Sequence, residues 1–120
     1  MESREHVGQA RFLMGLLNQP PISGNTQLLS EVILGVAIQM LKAVAKMNNL
    51  PCETHREMFR AVRAIGESIT PDVELIREFG RAEELHKNFY DGEMSSDEIV
   101  QGRAMAAKFI VKMQRIIDTG

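Results

Sequence analysis

Tryptophan is missing from this 120-residue chain, and tyrosine and cysteine each occur once. Aromatic residues make up 5%, too few for the aromatic and β-branched surfaces from which sheets are built. Met, Leu, Ile, Val and Ala are plentiful instead, and they suit packed helices. The lone Cys52 excludes an internal disulfide and has no metal-ligand spacing around it, so it reads as a reduced thiol in a cytoplasmic protein. An excess of one charge is also lacking. Fourteen Lys and Arg against sixteen Asp and Glu leave a net charge of −2. General attraction to nucleic acid is thereby excluded, and any RNA contact has to be a local patch. The opening MESREHVGQARF lacks the basic-then-apolar layout of a signal peptide. The most apolar run, VILGVAIQMLKAVAKM, is broken by Gln39, Lys42 and Lys46 and is too short and polar to span a bilayer. No repeat or low-complexity tract is present.

What is there fits one domain covering residues 1–120, with 44% hydrophobic and 25% charged residues. A first helix is predicted over about Ser3 to Leu17, ended by NQPPISGN, whose prolines and turn residues cannot continue it. A second, from about Gln27 to Met47 with Thr26 as cap, is apolar on more than one face. Such a helix is central in its domain or partly buried against another chain. Gly35 and Ala37 would let a neighbour approach closely, which favours a subunit interface. Thr54-x-x-Glu57 is a capping-box pattern opening a third helix with Met58, Phe59, Val62, Ile65 and Ile69 inward. Thr70-Pro71-Asp72 predicts a cap, a proline at the first helical position and an acidic first turn for a fourth helix ending at Asp91-Gly92. Ser95-x-x-Glu98 opens the last. These helices with short links predict an all-α, antiparallel up-down bundle of four to five helices.

Three sets of residues carry candidate chemistry. Arg56, Arg60 and Arg63 share one side of the third helix. They form either a phosphate-binding ridge or a solvated face salt-linked to Glu53, Glu57 and Glu67. His55 and His6 read as helix polar chemistry and as a histidine without an evident partner. The segment RAEELHKNFYDG then places Arg81 five residues ahead of His86, with Asn88 and Tyr90 close behind. A metal site is not expected, because Glu83 and His86 form one i, i+3 pair with no second cluster to match it. No nucleophile elbow is present either. The eight methionines lie on apolar stripes and read as core filler.

What remains is phosphate chemistry. A histidine can move the proton of a ribose hydroxyl or leaving oxygen, and an arginine can stabilise negative charge building on phosphorus. Five residues of continuous helix turn through about 500°, which sets the two positions about 140° apart. Arg81 and His86 can therefore meet only if the helix loosens near its end or a two-fold axis supplies a second copy. Against a pair stands the plain alternative, in which Arg81 links to Glu78 and Glu84 while His86 has Glu83 and Tyr90 as same-face neighbours.

Arg-x4-His followed by a turn and a long helix resembles the HEPN superfamily of small helical bundles. Over roughly residues 28–117, LLSEVILGVAIQMLKAVA, the THRE helix start and AEELHKNFYDGEMSSDEI resemble the PaREP-type branch. The resemblance implies an antiparallel bundle that commonly dimerises. Many HEPN proteins are metal-independent RNases whose Arg and His meet at the dimer interface; others are non-catalytic, and some partner a small nucleotidyltransferase. The chain departs from the catalytic pattern at Ala82, where a polar residue is usual, and at Asn88, where toxin-type members carry tyrosine. Leu34 stands where the branch usually has an aromatic.

The expectation is therefore a homodimer associated through its long apolar helix and the region 81–90, without cofactor or metal. It acts as a non-catalytic nucleotide- or RNA-associated module contacting its ligand through Asn88, Tyr90, Arg56, Arg60 and Arg63, with a nucleotidyltransferase as a candidate partner. The alternatives are a metal-independent RNase using Arg81 and His86, and a purely structural or interaction protein.

Overall fold

The computed structural model describes residues 3–16, 26–69, 71–91 and 95–119, less the side chains of Leu16, Thr26, Gln27, Leu28, His86 and residues 88–91. Its helices are α1 (Ser3–Leu16), α2 (Thr26–Met47), α3 (His55–Ala64), α4 (Leu75–Asp91) and α5 (Ser96–Thr119), with a π-helical turn, Ile65–Ile69, continuing α3. Among the described residues there is no strand, and no helix is long and apolar enough to cross a membrane. The linker 17–25, the cap role of Thr26, Thr70 and Gly92 lie outside the described residues or side chains.

Helix α2 is the centre, packed by α1, α3, α4 and α5. Val36, Ala37, Met40, Leu41, Ala43, Val44 and Ala45 are all buried by elements of the same chain. The close approach allowed at Gly35 is taken by α1, since a Cβ there would stand 3.1 Å from Leu13 Cδ1. Two polar ties fix that contact. Ser3 Oγ donates to the Ala43 carbonyl at 3.0 Å, and buried His6 meets Gln39 through Nδ1 at 2.6 Å. His6 thus has a partner that its local sequence does not reveal.

Helix α2 ends where Asn49 takes a left-handed φ of 57°. The Leu50 N–H reaches back to the Ala45 carbonyl at 2.8 Å, a Schellman-type closure with Asn in the place glycine usually fills. Both predicted capping boxes form. Thr54 Oγ1 accepts from Glu57 N–H at 3.1 Å while the Glu57 carboxylate accepts from Thr54 N–H at 3.0 Å. Ser95 and Glu98 repeat the arrangement at 3.2 and 3.0 Å.

Phe59, Phe79 and Phe109 join α3, α4 and α5 in a chain of ring contacts 5.1 and 5.3 Å apart. Leu75, Ala82, Leu85, Ala106 and Met113 fill the space around them. Full burial of each large side chain contributes about 1.5–3 kcal/mol. Met40 and Met113 are core residues as expected, whereas Met14 and Met47 are exposed. Helix α4 begins later than its Pro71 predicts. The Asp72 N–H is held by the Gly66 carbonyl at 2.9 Å, Asp72 Oδ1 accepts from Glu74 N–H, and the helix starts only at Leu75. The tertiary bond across the π turn outweighs the local preference of proline for a first helical position.

Candidate functional site

The Arg81 region is built on an unbroken α-helix from Leu75 to Asp91. The helix does not loosen between positions 81 and 86, so they stay about 140° apart around the axis. Arg81 Nη1 donates to Glu84 at 2.8 Å on a partly exposed surface. Glu78, its other predicted partner, turns inward instead. It is 3% exposed and takes Lys112 Nζ of α5 at 2.8 and 3.0 Å. Glu83 lies 3.8 Å from His55 Nδ1, a contact that becomes an ion pair when the imidazole is protonated. The His55 ring rests 5.1 Å from that of Phe59. The side chains of His86, Asn88 and Tyr90 lie outside the described residues.

Lys112 also reaches Asp72 at 2.7 Å, tying α5 to the approach of α4. Burial alone would lower the Lys112 pKa, but its hydrogen bonds to Asp72 and Glu78 outweigh burial and raise it. Asp72 moves down, held by Lys112 and by the Glu74 N–H. This cluster is closed on itself, with every charge answered from within the chain.

Helix α3 is the opposite case. Arg56, Arg60 and Arg63 are all exposed, and the spacing of three and four residues sets them within an arc of about 60°. The expected salt links do not form. Glu57 is turned back onto its own helix start, its pKa lowered by the backbone N–H groups of Thr54 and Glu53. Glu53 sits 4.0 Å from Lys42. Among the described residues no carboxylate lies within ion-pair distance of any of the three arginines. Local sequence suggests carboxylates at the right offsets; only the structure shows that capping and Lys42 engage two of them.

Clefts with apolar floors flank the ridge. Arg60 borders one of about 250 Å³ with Leu50, Pro51, Ala61, Ala64 and Glu57. Arg63 borders another of about 220 Å³ at the π turn, with Val62, Gly66, Val73, Ile76, Glu67 and Asp72. A guanidinium beside an apolar floor can hold a phosphate while a planar, less polar group sits in the cleft. π-Helical insertions occur often at functional sites. Cys52 takes no part: it is buried, and burial pushes its thiol up to about 11, which leaves it unreactive near neutral pH.

Comparison with protein-family models, curated proteins and solved structures finds no match to this chain.

Proposed function

We propose that the chain is a HEPN-like, antiparallel helical module that works as a homodimer and associates with RNA or nucleotides through α3, without catalysing a reaction. The observation carrying this reading is the ridge Arg56–Arg60–Arg63, exposed and without an ion pair to any described carboxylate, although Arg60 lies close enough to Glu57 to favour its ionised form. Three permanent cations spaced along about 10 Å of helix axis match a ligand with more than one phosphate. The apolar clefts on either side offer room for bases. A net charge of −2 makes the attraction local, so binding is weak away from the ridge and sensitive to salt. The Arg81–His86 segment enters as a second phosphate contact in the dimer, with Asn88 and Tyr90 as its base-directed groups. A small nucleotidyltransferase is the class of partner the HEPN resemblance implies.

The test is fluorescence anisotropy with a labelled single-stranded RNA, comparing the unmodified protein with R56A/R60A/R63A. Binding should fall at least tenfold in the triple variant. A parallel incubation of RNA with protein in EDTA should leave the RNA intact. Metal-free cleavage that is lost in His86→Ala would replace this reading with that of an RNase. Equal RNA affinity of the triple variant would remove the ridge from it.

A further inference from the structure

We infer that the outer face of α5 is where a second copy of this chain docks, helix against helix and antiparallel. The inference deepens the dimeric reading above and rests on it. Helix α5 buries Gly102, Ala106, Phe109 and Met113 against the rest of the chain. On its opposite side Val100 and Val111 are 63% and 49% exposed, and Ala104 and Ala107 between them are exposed too. At 100° per residue these four fall within an arc of about 60°. They form one apolar stripe without a charged member, and a shallow groove runs along its lower part beside Lys108 and Arg115.

The order of the stripe selects the occupant. Its steps are four, three and four residues, which read the same in both directions. A two-fold axis between Ala104 and Ala107 therefore lays Val100 on Val111 of the partner and Ala104 on its Ala107. The two alanines allow an interaxial distance near the short end of the usual range of about 8–10 Å.

Charge agrees with this register. Asp97 and Arg115 lie on the same flank of the stripe, and among the described residues neither side chain has an ion-pair partner. In the antiparallel pair Asp97 of each chain comes beside Arg115 of the other, so two links form that no single chain can make. A parallel two-fold pair would instead place Asp97 and the partner's Arg115 about 27 Å apart along the axis, so neither link could form.

Helix α2, by contrast, is largely covered within its own chain. The dimer surface is therefore assigned to α5 rather than to the long apolar helix.

The register makes a sharp test by cysteine cross-linking. Positions 100 and 111 are about 16 Å apart along one helix, too far for a bond within a chain. Under mild oxidation the V100C/V111C protein should run as a covalent dimer, and an equimolar mixture of V100C and V111C should do the same. Neither single variant alone should cross-link. As a charge test, D97R and R115D should each be monomeric and form a heterodimer when mixed, because both cross-pairs are then opposite in sign. Cross-linking by V100C alone would mean a parallel pair and overturn the inference. A protein of twice 13.5 kDa by light scattering that never cross-links at these positions would overturn it while leaving the dimeric reading in place. A mass of 13.5 kDa at 100 µM would remove both.

Discussion

Two cationic regions of this molecule have opposite fates. Lys112 of α5 is enclosed by Glu78 and Asp72 at 2.8 and 2.7 Å, and its charge is spent within the fold. The arginines of α3 keep theirs. The difference comes from what each carboxylate is doing. Glu78 is nearly fully buried and must be paired, because an unpaired buried charge is costly. Glu57 is only half-buried, and the N–H groups at the start of its own helix hold its carboxylate, so it makes no ion pair with Arg60. Cations that answer buried acids are architecture, and cations left unanswered on a surface are available to a ligand.

The contrast breaks most visibly at the enclosed pair. Lys112→Met should leave Glu78 buried without a partner and cost about 2–3 kcal/mol in denaturant unfolding. That is below the cost of a fully buried pair, because Lys112 and Asp72 are about a quarter exposed. A loss under about 0.5 kcal/mol would mean that the network is ornamental.

The same pair predicts a pH profile, and here the sign matters. Asp72 has a lowered folded pKa, so its contribution is present above the unfolded value of about 3.9 and is lost as pH falls through the lower folded one. Lys112 has a raised folded pKa, so its contribution is full below about 10.4 and is lost as pH rises through the higher folded one. Lys112→Met should flatten both limbs of stability against pH. Unchanged limbs would contradict the assignment.

The smallest stability effect belongs to the other region. R56A/R60A/R63A should unfold within about 0.5 kcal/mol of the unmodified protein, since exposed side chains without partners hold nothing together. A larger loss would mean that the ridge is structural after all, and the contrast would fail.

Much of the helical plan was legible because its signals are local. Thr54 with Glu57, and Ser95 with Glu98, mark helix starts by bonds spanning three residues. The apolar stripes of α4 and α5 name Leu75, Phe79, Leu85, Phe109 and Met113 as core. What was not legible depends on partners beyond the residue's own helical turn. The greasy faces of α2 announce burial but cannot say whether α1 or another molecule covers them. The π turn and the late start of α4 follow from the Asp72–Gly66 bond, which no propensity encodes. Helix salt links at three- and four-residue offsets contribute only about 0.2–0.5 kcal/mol each. Glu78 and Glu83 were therefore drawn to Lys112 and His55, while beside the ridge Glu57 was claimed by its helix start and Glu53 turned to Lys42. The exposed stripe of α5 was missed because Val100 and Val111 stand apart from the stronger inner stripe of the same helix.

The salt dependence of RNA binding tests the ridge most directly. Three phosphate contacts on a single strand should give a slope of log affinity against log salt near −2, a fall of about twentyfold between 50 and 200 mM. Measured side by side, the unmodified protein should be steeper than R56A/R60A/R63A by about that slope. Identical slopes for the two proteins would show that α3 does not hold the phosphates.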